Sequence, residues 1–395
     1  MTLPARFAAL FAAQFAAIGA MMPFLPAVLQ SKGLSAEQVS GVLAAGSAVR
    51  LLAAPAIGRG ADRLGDPRRV LVLAAAVAGC TASGYALAPG GGGLALAALF
   101  AVALLHSLFL APVVPLSDAL CLGASRRSRL EYARVRSAGS AAYILGAVAA
   151  GQAVALAGPT AAVWLYAGGL LLAALAARGL PAEEGAARGA GGGRAGGFAA
   201  PFREPAFRWL LPLSALIQGS HALYYGFSTI HWTAAGLSPG VIGLLWAEGV
   251  VVEVLLFLWG GPLAARLGPA KLAALAAGAG VVRWGVTAET TWLPALAAVQ
   301  VLHSITFGAQ HLGAMRVLAG LPLGQAATAQ TLHSSLGTGL AMGLLTLLSG
   351  TLYARLGGDA FWVMAALCAA ALPVVLGLRA ALGRRDRIGG GAARV

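Results

Sequence analysis

Long apolar stretches follow one another along the whole chain, and no other feature limits its fold as strongly. Each is about 20 residues long, the length that an α-helix needs to cross the hydrocarbon core of a bilayer. Of the 395 residues, 59% are hydrophobic and only 10% are charged, whereas about 25% of residues are charged in a typical soluble protein. The sequence therefore predicts an integral membrane protein and excludes a soluble enzyme, a secreted disulfide scaffold and a disordered binder.

Cutting the sequence at Gly, Pro and clusters of charge predicts twelve transmembrane helices, which we call spans 1 to 12. They lie near residues 7–30, 36–58, 70–88, 94–121, 133–154, 159–178, 209–232, 239–262, 272–288, 291–317, 326–353 and 358–380. The predicted fold class is an all-α membrane protein with two six-helix bundles, residues 1–180 and 206–380. The Gly- and Ala-rich segment 181–205 is typical of a flexible linker, and 381–395 is predicted to be a tail.

The basic residues support this division into spans. With alternating directions, 22 of the 27 Lys and Arg residues fall in the termini, in the loops after spans 2, 4, 6, 8 and 10, or within a few residues of these in the adjoining spans. Two fall on the opposite side and three lie deeper inside spans. Because basic loops stay in the cytoplasm, both termini and the linker are predicted to be cytoplasmic, in a multi-pass protein of the inner (plasma) membrane. The net charge of +14 is spread along one membrane face, which argues against a nucleic-acid-binding protein.

The two predicted bundles are related in sequence. A shift of 203 residues aligns 33–65 with 236–268 without gaps, and 12 of the 33 positions are identical. A shift by six spans preserves direction across the membrane, so the repeat is parallel, as in transporters that bind substrate near the midplane between two bundles. The repeat makes Arg50 in span 2 equivalent to Glu253 in span 8, and opposite charges therefore lie at equivalent depths.

Residues 58–69, GRGADRLGDPRR, are similar to the loop signature G-x-x-x-D-R-x-G-x-x-R-R of the major facilitator superfamily, and a degenerate copy occupies 261–271. Other stretches resemble its phenylpropionate-permease branch, which is near the lactose-permease type of proton symporter. These stretches are 22–26, 115–120, 131–140, 302–311 and 350–353. The resemblance covers nearly the whole chain and implies the twelve-span fold of a secondary transporter.

The resemblance also implies roles for individual residues. In lactose permease an acid late in helix 4 and an Arg in helix 5 hold the sugar, and Asp118 and Arg136 have the same spacing of 18 residues. The aromatic residue that stacks on the sugar corresponds to Tyr143. An Arg in helix 9 and a His in helix 10 of that permease correspond to Arg283 and His303.

The proton site of the related permease has no direct counterpart. Its proton-carrying Glu is replaced by Thr306, and the acid of its helix 8 is missing at the aligned position, Val250. Glu253, deep in span 8, is therefore predicted to carry the proton. Glu248 and His303 are the reserve candidates, and Arg136, Arg283 and His303 are candidate neighbours of Glu253.

Charged residues inside spans need an explanation, because an ionised side chain at mid-bilayer costs roughly 3 kcal/mol or more. Three Arg and three acids lie there with a formal sum of zero: Arg50, Arg136, Arg283, Asp118, Glu248 and Glu253. Purely structural ion pairs are the alternative to functional roles. Asp62, Arg63 and Arg68 are predicted to form a cytoplasmic conformational latch, and Arg50 either belongs to this gating network or is structural.

Polar side chains recur at helical spacing on three spans. They are Gln218, His221, Tyr225 and Ser228 in span 7, Gln300, His303, Phe307, Gln310 and His311 in span 10, and Gln330, His333 and Ser334 in span 11. The stripes predict a wet cavity with substrate contacts from His221, Tyr225, His303 and Phe307, and the alternative is hydrogen bonding between helices. His303 and His311 lie about 12 Å apart along the axis without an evident third ligand, so neither a metal site nor a cofactor is predicted.

The leading prediction is a proton-coupled secondary transporter of a small organic solute, such as a phenylpropionate-like aromatic carboxylate, working by alternating access. The alternatives are a sugar–proton symporter, a proton-driven drug or lipid exporter and, less favoured, a non-transporting membrane sensor. The sequence has neither the G-x-x-x-x-G-K-[ST] motif of ATPases nor a recognisable nucleophile, so an enzyme is not predicted. The expected partners are a small-molecule substrate, protons and the lipid bilayer, without nucleic acid, and the expected state is a monomer.

Overall fold

The computed structural model describes residues 1–64, 66–128, 130–181, 199–322 and 325–392, and the side chains of all of these except 54–64, 326–327 and 385–392. The described part of the chain is helical and contains no β-strand. The helices before the linker are α1 (Leu3–Met21), α2 (Leu25–Ser31), α3 (Ala36–Leu64), α4 (Pro67–Ala82), α5 (Gly84–Leu87), α6 (Gly92–Leu110), α7 (Val113–Arg127), α8 (Tyr132–Ala157) and α9 (Thr160–Arg178).

After the linker, a short 3-10 helix (Ala200–Arg203) precedes the remaining helices. They are α10 (Pro205–Gly219), α11 (Ala222–Ala234), α12 (Pro239–Trp259), α13 (Gly261–Glu289), α14 (Leu293–Gln300), α15 (Gln310–Ala319), α16 (Ala326–Leu332), α17 (Ala341–Leu356) and α18 (Ala360–Ala392). Two π-helical segments, Ser304–Ala309 and His333–Leu340, stand before α15 and α17, and a second 3-10 helix (Gly357–Asp359) precedes α18.

Seven helical runs among the described residues are long and apolar enough to cross a membrane. They are Leu3–Met21, Pro67–Leu87, Gly92–Arg127, Tyr132–Ala157, Thr160–Arg178, Pro239–Trp259 and Thr328–Arg384. The last run, of 57 residues, contains all but the first two residues of predicted span 11 and the whole of predicted span 12. The predicted all-α, multi-pass character of the chain is thereby confirmed.

Several predicted spans are interrupted. Span 1 breaks between α1 and α2, where Pro23 has no backbone N–H to donate. Span 7 breaks at Ser220–His221, and spans 10 and 11 contain the π-helical segments. One helix is longer than predicted: α3 continues to Leu64, past the predicted end of span 2 at residue 58. The helix formed by span 9 begins only after Gly268, whose φ of 74° interrupts α13.

The described residues form two compact units. The first takes residues from Met1–Gly189, Tyr225–Val250 and Thr346–Arg355, and the second from Ala190–Tyr224, Val251–Leu345 and Leu356–Val395. Within the first unit the stretches that come from the second half of the sequence pack closely. A side chain on Gly243 would meet the Ala147 carbonyl oxygen, and one on Gly350 would overlap Ser40.

Each unit has its own apolar core, and the two cores use equivalent helices of the repeat. The first core comes mainly from α1, α4, α7 and α9, and the second from α10, α13, α15 and α18. Buried side chains at their centres include Phe7, Leu71, Cys121 and Ala173 in the first and Phe207, Ala276, Val317 and Ala371 in the second.

The repeat is visible in the backbone. Gly33 and Gly236 occupy equivalent positions and both have a positive φ, 84° and 89°, a conformation that favours glycine. Two residues later, Ser35 and Ser238 accept hydrogen bonds from the backbone N–H groups of Gln38 (3.3 Å) and Val241 (3.4 Å). Both serines thus cap their helices, and α3 and α12 begin at equivalent positions. The Gly-Leu-Ser identity of the two repeats therefore has a local structural cause.

Candidate functional site

Polar side chains of spans 7 and 10 meet in pairs, which we call the polar ladder. Its rungs are Gln310 Nε2 to Ser214 Oγ (3.2 Å), Gln218 Nε2 to the Phe307 carbonyl (3.4 Å), Thr306 Oγ1 with His221 Nε2 (3.1 Å), and Gln300 Nε2 to Tyr224 OH (2.8 Å). The rungs follow one another along both helices. Part of the predicted cavity stripe is therefore used for hydrogen bonds between helices, the alternative that the sequence left open.

The middle of the ladder lies where both helices depart from α geometry. His221 is in the break between α10 and α11, and Thr306 is in the π-helical segment Ser304–Ala309. A π-helical turn holds an extra residue and is frequent at functional sites. The irregular backbone at this level allows the two side chains to meet.

Arg283 lies beside the polar ladder, and its side chain is buried, with 1% of the residue exposed. Its Nη1 donates to His303 Nδ1 (3.1 Å) and Thr306 Oγ1 (3.2 Å), and its Nη2 donates to Gln300 Oε1 (2.9 Å). The guanidinium carbon also lies over the rings of Tyr224 (4.8 Å) and Trp284 (4.4 Å). Hydrogen bonds and two aromatic faces thus stabilise a charge away from water.

The hydrogen bonds of Arg283 fix the state of His303. A guanidinium can only donate, so His303 Nδ1 accepts and, in the neutral ring, Nε2 carries the hydrogen. This Nε2 lies 3.3 Å from Glu253 Oε2, to which it donates. Arg283, His303 and Glu253 therefore form a directed chain of hydrogen bonds.

His221 has the opposite tautomer. Its Nδ1 faces the carbonyl oxygens of Ile217 (3.1 Å) and Gln218 (3.2 Å), which only accept, so Nδ1 carries the hydrogen. His221 Nε2 then accepts from the Thr306 hydroxyl, which itself accepts from Arg283. His221, predicted as a substrate contact, is fully buried and lies behind Thr306.

Glu253 projects from α12 toward the helix of span 10. Its side chain is 17% exposed and that of His303 is 10% exposed. Of the three neighbours considered from the sequence, His303 is the one that the structure places in hydrogen-bonding contact with Glu253. Glu248, the reserve proton carrier, lies five residues earlier on α12 and is partly buried.

In the first unit, Asp118 on α7 and Arg136 on α8 form an ion pair. Arg136 Nε lies 3.5 Å from Asp118 Oδ1, and their side chains are 27% and 29% exposed. The same carboxylate oxygen accepts from Tyr132 OH (3.1 Å). Arg136 stacks on the ring of Phe15 (3.9 Å) and lies near that of Phe11 (5.4 Å). The pair that the resemblance assigned to substrate is thus formed beside aromatic rings.

Three aromatic residues predicted at the substrate site have defined neighbours. Tyr143 OH faces Met22 Sδ (3.5 Å). The Tyr225 ring lies 5.9 Å from that of Trp246, centroid to centroid. Phe307 stacks on the His303 ring with centroids 5.5 Å apart and an interplanar angle of 12°.

The predicted gating residues are only partly described. Arg50 donates to Ser47 Oγ (3.0 Å) and Ser107 Oγ (3.4 Å). Arg68 donates to the carbonyl oxygens of Leu180 (2.9 Å) and Arg178 (3.5 Å), and so caps the end of α9. The side chains of Asp62 and Arg63 lie outside the described residues.

Sequence reasoning missed two parts of the polar interior. Trp284 lies over Arg283 and donates to Ser220 Oγ (2.9 Å), and its position directly after a buried Arg was a usable signal. His106 is 3% exposed and pairs with Tyr166 OH (2.8 Å) and the Ala78 carbonyl (3.0 Å) in the first unit. No charged neighbour or motif in the sequence marked His106.

Helices long and apolar enough to cross a membrane, two related cores and a buried chain of ionisable groups are typical of the class of membrane transporters. The model of the MFS_1 like family matches residues 5–364. The chain therefore belongs to this transporter family, and the predicted membership of the major facilitator superfamily is confirmed.

Individual relatives agree with this assignment. The chain is 35% identical over 354 residues to the probable 3-phenylpropionic acid transporter of Escherichia coli (strain K12), with 89% of this chain and 91% of the relative covered. It is 27% identical over 381 residues to the maltose permease of Geobacillus stearothermophilus, with 95% and 93% covered. The predicted resemblance to phenylpropionate permeases is confirmed, and these relatives are transporters rather than enzymes.

Solved structures show the same fold. The crystal structure of the nucleoside transporter NupG matches with a TM-score of 0.81 and 15% sequence identity, covering 97% of this chain and 99% of that chain. At this identity the match concerns the fold alone.

Proposed function

We propose that this chain is a proton-coupled secondary transporter that carries a small organic anion by alternating access, with a phenylpropionate-like aromatic carboxylate as the substrate. In this proposal the helices form twelve spans in two six-helix bundles, 1–180 and 206–380. Both termini and the 181–205 linker lie in the cytoplasm, and the protein works as a monomer in the inner (plasma) membrane.

The observation that carries the proposal is the hydrogen-bonded chain from Arg283 through His303 to Glu253. The formal charges of Arg283 and Glu253 cancel. Protonation of Glu253 leaves the group with a charge of +1 in a poorly solvated place, where a free charge is costly. An anionic substrate restores neutrality, so binding of a proton and of a carboxylate favour each other.

In this proposal two charged residues and four ring-bearing side chains contact the substrate. Asp118 and Arg136 hold the substrate, because a guanidinium can bind a carboxylate with two parallel hydrogen bonds. Tyr143, Tyr225, His303 and Phe307 contact its apolar part, and His221 acts through Thr306. The relative named as a probable 3-phenylpropionic acid transporter supports an aromatic acid as the first compound to test.

A neutral sugar is the second candidate, favoured by the relative named as a maltose permease. A sugar would use the Asp118–Arg136 pair as a hydrogen-bonding group and would not need the extra positive charge. The two substrate classes therefore differ in whether uptake depends on an ionised carboxylate.

The test is uptake by proteoliposomes under an imposed pH gradient, with labelled 3-phenylpropionate, its uncharged amide and a panel of sugars. We expect accumulation of the acid alone. Glu253→Gln is expected to abolish pH-driven accumulation and to preserve counterflow exchange, since exchange needs no net release of protons. Glu289→Gln, which changes an exposed carboxylate on α13, is the matched control.

Accumulation that ignores the pH gradient would reject proton coupling. Accumulation of a sugar, without accumulation of 3-phenylpropionate, would support the second candidate. Normal pH-driven accumulation by Glu253→Gln would move the proton site to Glu248 or His303.

A further inference from the structure

We infer that His311 passes the proton between Glu253 and the cytoplasmic side of the membrane. The inference rests on the proposed function of Glu253 as the proton carrier. His311, one member of the polar stripe of span 10, would then act as a relay group for protons.

Glu253 and His311 lie along one helix–helix contact. The Cγ atom of Glu253 is 3.5 Å from the position that a Cβ atom would take on Gly308. One turn further along α12, the Phe257 ring meets the His311 ring edge to face, with centroids 6.3 Å apart. The two helices therefore run in the same direction, and His311 lies about 4.5 Å beyond the level of Gly308. In the proposed topology this is the cytoplasmic direction.

Exposure increases in the same direction. The side chains of His303 and Glu253 are 10% and 17% exposed, whereas His311 is exposed. The carboxyl group of Glu253 thus has a buried imidazole on one side and an exposed imidazole on the other. His311 is close enough for its charge to interact with that of Glu253.

His303 is unsuited to remove the proton from Glu253. Its Nε2 already carries a hydrogen, and its Nδ1 accepts from the Arg283 guanidinium, which has no proton to lose at neutral pH. Neither nitrogen offers a free lone pair to a protonated Glu253. Among the described residues, His311 is therefore the neighbouring titratable group that can take this proton.

The surroundings of His311 suit a relay. The titratable groups that face it are Glu253 on α12 and His333 on the π-helical segment of span 11. His333 Nε2 is hydrogen-bonded to Ser214 Oγ (2.9 Å). On its own helix, the Arg316 side chain is directed to the Ala264 carbonyl. An imidazole can accept a proton from one neighbour and release it to another.

The transfer step is balanced without another reactant. The O–H bond of protonated Glu253 breaks, and an N–H bond forms at a neutral nitrogen of His311, directly or through water. Glu253 becomes a carboxylate and His311 an imidazolium. The imidazolium then releases the proton to cytoplasmic water and returns to the neutral ring.

The experiment compares wild-type, His311→Asn and His311→Gln protein in proteoliposomes with 3-phenylpropionate. Both variants are expected to slow pH-driven uptake about a hundredfold or more, the low end of the usual range for loss of a proton-transfer group, and to keep counterflow exchange at the wild-type rate. Exchange also shows that each variant is folded. His231→Asn, on α11 and in contact with Tyr353, is the histidine control and is expected to behave as wild type.

The outcomes separate the two proposals. Wild-type protein without pH-driven uptake would contradict the proposed function itself. Coupled wild-type protein together with full pH-driven uptake in both His311 variants would overturn the relay alone. Equal loss of uptake and exchange would also overturn it, since His311 would then serve substrate binding or folding.

Discussion

Arg283 donates hydrogen bonds to three polar groups around it, on His303, Thr306 and Gln300. Lys carries the same charge but cannot direct separate donors to His303, Thr306 and Gln300 from one planar group. We expect Arg283→Lys to reduce 3-phenylpropionate uptake about tenfold or more, equivalent to a loss of about 1.4 kcal/mol, because the tautomer of His303 is no longer fixed. Uptake and counterflow by purified protein in liposomes measure the effect.

Arg208→Lys is the control for this substitution, since Arg208 is exposed near the start of α10. Wild-type uptake by Arg283→Lys would show that the directed hydrogen bonds of the guanidinium are not needed.

Arg136, in the first unit, makes both an ion pair and a contact with an aromatic ring. Its guanidinium pairs with Asp118 and stacks on Phe15, and a Lys ammonium reproduces neither the planar stacking nor a two-pronged contact with a carboxylate. Arg136→Lys is therefore expected to lower pH-driven accumulation and counterflow exchange together, about tenfold each. A variant that loses accumulation but exchanges normally would place Arg136 in proton coupling.

At the residue scale, the sequence predicted which side chains are chemically active but not all of their partners. Helical spacing placed His303, Phe307 and His311 on one face, and the resemblance paired Asp118 with Arg136. Glu253 had three candidate neighbours because spacing along one helix carries no information about which helix packs beside it. Only the structure gives the contact with His303.

At the scale of the helices, breaks caused by proline could be predicted and breaks caused by packing could not. Pro23 explains the end of α1 from its own chemistry. The π-helical segment Ser304–Ala309 has no proline and contains only one glycine. It is stabilised by hydrogen bonds of Thr306 to His221 and Arg283, which come from distant parts of the sequence. Local propensity could not indicate it.

The contact between α1 and α8 depends on glycine. A Cβ atom on Gly146 would overlap the Ala16 carbonyl oxygen. Gly146→Ala is therefore expected to destabilise the protein by about 1–3 kcal/mol, the usual range for overpacking, and to lower the thermal midpoint of the detergent-solubilised protein. Gly168→Ala on α9 has open space around it and should leave the midpoint unchanged. An equal effect of both changes would contradict a role for this close approach.

For the whole molecule, the sequence predicted best those properties that depend on a pattern along the entire chain, such as its hydrophobicity. Hydrophobicity decided the class of protein, and the 203-residue repeat aligned Gly33 with Gly236 and Ser35 with Ser238, positions that have equivalent backbone conformations and helix caps. The division of the described residues into units was less accessible. Stretches 225–250 and 346–355 pack with the first unit, and such contacts depend on side-chain shape over long separations in sequence.

The proposed orientation gives a test at the same scale. A reporter enzyme that is active only outside the cytoplasm, fused after Val395, is expected to be silent, because 22 basic residues would otherwise face outward. The same reporter inserted at Gly91, between α5 and α6, is the positive control. Activity of the C-terminal fusion would overturn the proposed number of spans.

The π-helical segment Ser304–Ala309 sets the angle between α14 and α15. A π-helical turn differs from an α-helical one by a single extra residue, and removal of that residue would rotate α15 by about 100°. His311 would turn away from Glu253, while Arg283, His303 and Glu253 would keep their places. The same rotation would turn Val317 away from the second core, so the extra residue fixes the register of α15 for both the proposed proton path and the packing of the unit.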